Sequence, residues 1–214
     1  MKIALLGAES TGKTALAHAL AAQLQTPSHS AVAVDEYLRE WCQAQQRTPQ
    51  QHEQQAIAQE QQRRIEQANL QANTVLADTT PLMTAVYSDY VFGDKSLYPA
   101  ALAYQKSFDI SLLTGLDIAW QPDGIQRDGP HVRGAVDALL RSVLGSTKIS
   151  YRVVYGAADV RISNALIAIH SVAACAQSTL PLDQKPAKKW VWVCDKCSDP
   201  DCEHTLFSSL HKPV

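Results

Sequence analysis

Gly7-Ala-Glu-Ser-Thr-Gly-Lys-Thr14 decides how this chain is read. The octet follows an apolar run, Ile3 to Leu6, and leads into an Ala- and Leu-rich segment at helical spacing that runs from Lys13 to Gln23. A strand, a loop of the form G-x-x-x-x-G-K-[ST] and a helix, in that order, are what a phosphate-binding loop requires. Gly7 and Gly12 let the backbone turn its amides inward. Glu9, Ser10 and Thr11 complete the loop around a polyphosphate, and the helix beginning near Lys13 adds its positive N-terminal end. Lys13 would reach the β and γ phosphates, and Thr14 would place its hydroxyl on the magnesium that arrives with them. A plain glycine turn would call for neither the Lys-Thr pair nor the position directly after the first strand. ATP and Mg2+ are therefore the expected ligands.

Working outward, Ala31 to Val34 reads as a second strand that ends in Asp35 and Glu36. In an open parallel sheet, ligands bind beyond the C-terminal strand ends, so this acidic pair is delivered to the same edge as the phosphate loop. A carboxylate there can take a proton from a substrate hydroxyl; the alternative is that the pair caps the helix that follows. Tyr37 to Ala72 is helical and rich in glutamine, with Pro49 as the joint between a short helix and a long one. Ile57, Ala58, Ile65, Ala68 and Leu70 supply a buried stripe, which favours a folded helical flap over a disordered tract.

Thr74 to Ala77 is a third, apolar strand ending in Asp78, where a carboxylate orients magnesium in the second half of a phosphate-loop site. Pro81 starts the next helix, in a region whose Tyr87, Tyr90, Phe92, Tyr98 and Tyr104 either stack on a ring or belong to the core. Asp109 to Thr114 is a fourth strand. The turn-rich stretch Trp120 to Arg133 reads as a loop before a helix to about Leu144, and its Arg127 and Arg133 can stabilise charge on a transferring phosphoryl group. Tyr151 to Tyr155 is a fifth strand. Gly156 then lets an adenine lie against backbone, and Arg161 opens a helix to about Gln177.

Length and composition set bounds. The 214 residues suffice for one α/β domain, about 1–180, with an appendage, 181–214; the flap spans about 37–72 and the arginine lid about 120–134. With 19 basic residues against 21 acidic ones the formal charge is -2, so no nucleic-acid partner is expected. No apolar run suits a signal peptide or a membrane span, and the expected location is cytoplasmic. Cys194, Cys197, Cys202 and His204 crowd the tail behind a Trp190 and Trp192 arm. They either surround a structural zinc or sit on a flexible cysteine-bearing segment, with an iron-sulfur centre as the third reading.

Several pieces together resemble the nicotinamide riboside kinase domain of the bifunctional NadR proteins and the stand-alone ATPases similar to it. They are GAESTGKT at Gly7, Asp-Glu-Tyr-Leu-Arg-Glu at Asp35, Ala-Asp-Thr-Thr-Pro-Leu at Ala77, Tyr-Ser-Asp-Tyr-Val-Phe-Gly at Tyr87, Leu-Leu-Thr-Gly-Leu-Asp-Ile-Ala-Trp at Leu112, and Asp123-Gly124 with the arginines after it. The resemblance implies transfer of the γ-phosphoryl group of ATP to the 5′-hydroxyl of nicotinamide riboside. Lys13 and Thr14 would hold ATP and magnesium, Asp78 would orient the metal, and Asp35 or Glu36, preferably Glu36, would be the base; Arg161, at the start of the helix after Gly156, is a separate candidate for the nucleotide site. No His-x-Gly-His adenylyltransferase sequence is present. The expected fold is a three-layer α/β P-loop NTPase with a five-stranded parallel sheet, like the nucleoside and nucleotide kinases. Its partner would be a small-molecule nucleoside. The competing reading is an ATP-binding regulator that signals through the tail.

Overall fold

A computed structural model of the chain describes residues 1–121 and 130–177. Five strands, β1 (Lys2–Leu6), β2 (Ala31–Val34), β3 (Thr74–Asp78), β4 (Ile110–Thr114) and β5 (Arg152–Val154), form one parallel sheet in the order β2-β3-β1-β4-β5. Ile3, Ala4, Leu5 and Leu6 are wholly buried, as a central strand covered on both faces demands. Their side chains alternate. Ile3 and Leu5 face helices α1 (Lys13–Leu24) and α7 (Ala158–Gln177), meeting Leu16, Leu20, Ala165 and Ile169. Ala4 and Leu6 face α4 (Pro81–Phe92) and α6 (Pro130–Ser146), meeting Leu82, Val86, Val136 and Leu140. The sheet thus lies between two helical layers, the three-layer P-loop architecture. Burying each such Leu or Ile contributes about 1.5–3 kcal/mol.

Register brings the site together. Leu5 pairs with Asp78 on one side and Leu112 on the other, so the loop after β1 opens between the ends of β3 and β4. Toward the β2 edge lie α2 (Tyr37–Gln45) and α3 (Gln54–Asn69), joined through Pro49 and a 3-10 turn at Gln51–Glu53. Ile65 of α3 packs on Val34, Val75 and Ala77. A further helix, α5 (Tyr98–Gln105), follows α4.

Several details differ from the sequence expectation. Leu70 is 87% exposed, because α3 ends at Asn69 and the residue falls beyond its buried stripe. Gln54 and Gln61 take places in that stripe instead. The fourth strand starts at Ile110, and the Asp109 carboxylate accepts a hydrogen bond from the Lys2 amide at 2.6 Å. The fifth strand is only Arg152–Val154; Tyr155 turns outward and is 53% exposed. Helix α6 begins at Pro130, whose ring presets the backbone for a first helical turn, so Arg133 stands on the helix and not in the loop before it. Asp123, Gly124, Arg127 and the tail with Cys194, Cys197, Cys202 and His204 lie outside the described residues.

Candidate active site

The phosphate loop is held by side chains that face away from any ligand. Gly7 has φ +144°, and a Cβ there would stand 2.2 Å from Thr114 Oγ1, so no other residue fits. Thr114 Oγ1 lies 2.7 Å from Thr11 Oγ1, which donates to the Ala8 carbonyl at 2.8 Å. The fully buried Thr11 hydroxyl therefore fixes the loop, leaving its backbone to face a phosphate. Ser10 Oγ accepts from the Gln121 amide at 2.8 Å. Gly12, at φ +75°, is the N-cap of α1 and makes no side-chain cap, so the helix presents its first amides to the loop. Lys13 Nζ donates to the Ala8 carbonyl at 2.9 Å.

Thr14 Oγ1 donates to Asp78 Oδ2 at 2.5 Å. Asp78 is 1% exposed, and its other oxygen has no hydrogen-bond partner among the described residues. A buried carboxylate oxygen left without a donor, next to a hydroxyl, is a costly arrangement that a cation would relieve. The two side chains fit magnesium.

Arg161, 3% exposed, approaches the loop from behind. Its Nε donates to the Gly156 carbonyl at 2.6 Å, Nη1 to the Thr11 carbonyl, and Nη2 to the Asp117 carboxylate. Asp117 also accepts from the Gly156 amide at 2.6 Å. Burial lowers the guanidinium from its ordinary range, and the Asp117 charge opposes that shift. Arg133, 7% exposed, donates through Nη1 to the Ile118 carbonyl at 2.7 Å. Its Nε and Nη2 are buried and have no hydrogen-bond partner among the described residues.

On the other side of Lys13, the acidic pair divides. Asp35 Oδ1 lies 2.7 Å from His18 Nε2, with both side chains mostly exposed. Glu36 is the N-cap of α2, and its side chain, 17% exposed, lines a cavity of about 530 Å3 together with Glu9, Arg39, Met83, Tyr87 and Phe92. That volume is in the range of small-molecule sites. A smaller space of about 190 Å3 lies along Ser10 to Ala15. Ser10, Lys13, Glu36 and Arg39 line both, so the two spaces adjoin. Of the aromatic residues singled out, Tyr87 and Phe92 reach the cavity. Tyr98 donates to Asp89 at 3.0 Å, and Tyr104 packs edge-on against Phe108.

Sequence reasoning missed Arg39, Arg47, Met83 and Asp117. Arg39 carried a signal, since three residues after Glu36 is the same face of a first helical turn. Arg47 closes the far end of the cavity, bonded to both Glu53 oxygens at 2.7 Å and stacked over Trp41. That bond, with the Gln50 amide, holds the Glu53 carboxyl at about 2. No spacing could link Asp117 to Arg161, which are joined only by the meeting of two strand ends.

The sequence pattern of the family described as an AAA domain matches residues 2–161, and the chain belongs to that family. No curated protein matches it in sequence. Among solved structures it is similar to a NadR protein in complex with NAD and AMP-PNP, at 18% identity and TM-score 0.61 over 84% of this chain and 51% of that one. It is also similar to a deoxyadenosine kinase from M. mycoides, at 15% identity and TM-score 0.54 over 81% of this chain and 100% of that one. A thymidylate kinase from Ehrlichia chaffeensis matches at 18% identity and TM-score 0.56 over 80% of this chain and 98% of that one. The chain spans about half the length of the NadR chains it matches. At such identities the likeness is one of fold, and the fold is that of the P-loop kinases.

Proposed function

We propose that this member of the AAA domain family is an ATP- and magnesium-dependent kinase that phosphorylates the 5′-hydroxyl of a ribonucleoside, nicotinamide riboside foremost. The observation that carries the reading is the adjoining pair of spaces, one along the phosphate loop and one beside Glu36, with Lys13, Glu36 and Arg39 common to both. A protein that only bound or hydrolysed ATP would not require the second space. The choice of riboside rests on the resemblance of the sequence segments, and one NadR structure of like fold is described in complex with NR.

In this account the loop amides and Lys13 hold the β and γ phosphates, with Nζ exchanging the Ala8 carbonyl for a phosphate oxygen. Thr14 and Asp78 would hold magnesium, which supplies charge neutralisation on the phosphate oxygens when bound. The riboside lies in the larger cavity, its ring against Tyr87 and Phe92 and its 5′-hydroxyl toward Lys13. Glu36 orients that hydroxyl and accepts its proton as the oxygen bonds to the γ phosphorus and the bond to the β-phosphate oxygen breaks, releasing ADP. Asp35, turned to His18 and solvent, is not the base. Arg133, whose Nε and Nη2 have no hydrogen-bond partner among the described residues, turns these donors to the transferring group, and Arg127 is proposed as a second cation for it. Arg161 acts on the nucleotide through the loop it braces.

A panel of ribosides incubated with the protein, ATP and magnesium tests this. Chromatography should find a 5′-monophosphate from nicotinamide riboside; intact ATP binding with no phosphorylated product from any riboside would sink the kinase reading.

A further inference from the structure

Helix α2 begins at the residue that the proposed reaction uses, and this creates a conflict. The first amides of a helix have no partners within it, and the N-cap side chain usually accepts from the second or third of them, leaving the first to be held from elsewhere. Glu36 is that N-cap residue, yet its side chain makes no cap hydrogen bond. A carboxylate folded back onto its own helix could not face the cavity it lines.

The orphan amide is satisfied from elsewhere. Gln61 of α3 is 2% exposed, and its Oε1 accepts from the Tyr37 amide, the first of α2, at 2.7 Å. Its Nε2 donates to the Asp35 carbonyl at 3.3 Å. The single side-chain amide therefore grips the backbone on both sides of Glu36, as a neighbouring strand would. A buried glutamine needs both its donor and its acceptor satisfied, and this turn satisfies both. On the outer surface the grip is reinforced. Arg64, one turn further along α3, bonds Glu40 at 2.5 Å and stacks over Tyr37. Eleven of the sixteen residues of α3 are polar and most of them lie toward solvent, but Gln61 is spent inside.

We propose that Gln61 is a positioning residue for the reaction: it bonds the backbone on both sides of Glu36 and so fixes the start of α2 with the Glu36 carboxylate toward the acceptor cavity. This rests on the kinase reading and on Glu36 as the base. Gln61 touches no substrate itself. Without it, the Tyr37 amide and the Asp35 carbonyl both lose this partner, the backbone that carries Glu36 loosens, and its carboxylate is no longer held on the cavity.

The test is a double-mutant cycle with Gln61→Met, Glu36→Gln and the pair, read as kcat and both KM values, with melting recorded for each. Gln61→Met should lower kcat about tenfold while KM for ATP stays within about twofold, and should add nothing in the Glu36→Gln background. Gln61→Glu, which still accepts from the Tyr37 amide, should retain more activity than Gln61→Met and guards against a variant that fails to fold. Hydrogen exchange at the Tyr37 amide should quicken about tenfold or more in Gln61→Met alone. Unchanged kcat in folded Gln61→Met, or losses that multiply in the pair, would overturn the inference and leave the kinase reading intact. Full activity in Glu36→Gln would instead remove the base, and this inference with it, while Tyr37 exchange still reports on the cap.

Discussion

The two halves of the site are built in opposite ways. The phosphate loop takes its shape from eight consecutive residues and from neighbours that leave the backbone no other course: the Thr114 hydroxyl against Gly7, the Thr11 hydroxyl on Ala8, and Arg161 on the Thr11 carbonyl. The acceptor side is assembled from α2 and its N-cap Glu36, the turn after α2, the start of α3 and α4, whose contributing residues stand tens of positions apart. Its outer layer is held by exposed ion pairs, Arg47 with Glu53 and Arg64 with Glu40 and Glu60. The difference teaches that a donor common to many enzymes can be gripped by local backbone geometry. An acceptor particular to one enzyme needs side chains brought from afar.

Damage to the loop should then be severe, falling on nucleotide use where a ligand-facing side chain is lost and on folding where the backbone itself is forced. Lys13→Ala is expected to reduce kcat by about 10²- to 10³-fold, the loss typical of one preorganised charge-stabilising donor, with melting unchanged. A rate near that of the unaltered protein would break the comparison at its stronger end. Gly7→Ala tests the geometry itself. Its Cβ would meet Thr114 Oγ1 at 2.2 Å in a backbone conformation unsuited to alanine, so destabilisation of about 1–3 kcal/mol or more should appear as a lowered melting temperature.

On the acceptor side, the acidic pair should separate. Glu36→Gln is expected to lower kcat about 10²-fold, whereas Asp35→Asn should change it less than about twofold, because its carboxylate faces His18 and solvent. Steady-state kinetics on both variants decides, and equal losses would return the assignment to the open choice that the sequence left.

The smallest effect concerns pH. Glu53 is held at about 2 first by the Arg47 hydrogen bond and then by the Gln50 amide, and Glu60 at about 2 by Arg63 and Arg64. A carboxyl lowered on folding stabilises the fold fully above its unfolded value, about 4.3, and loses that contribution as pH falls through about 2. Between those limits the flap should loosen before the sheet, seen as faster hydrogen exchange in α2 and α3 than in β1. The pairs are exposed, so the shift is modest and should shrink further in salt.

The same contrast explains what could be read from the chain before its structure. Ile3 to Thr14, Asp78 at a strand end and the parallel sheet were legible because strand burial and loop geometry are local. Glu36 was preferred to Asp35 on resemblance; that Asp35 lies beside His18 while Glu36 lines the cavity could not be read from two adjacent carboxylates. Arg133 was legible as a residue but misplaced, since Pro130 starts the helix before it. Gln61 was invisible, one glutamine among many in a polar helix, and only the approach of α3 to the start of α2 distinguishes it. Likewise Asp117 and Arg161 are joined by the sheet, not by spacing.

The central claim is that donor and acceptor spaces meet at Lys13 and Glu36. The most direct measurement is the affinity of a single molecule in which adenosine and nicotinamide riboside are joined 5′ to 5′ through a tetraphosphate, compared by calorimetry with ATP. Spanning both spaces should bring its Kd at least about 10²-fold below that of ATP, a gain that Glu36→Gln and Lys13→Ala each diminish. A Kd no lower than that of ATP would contradict the account.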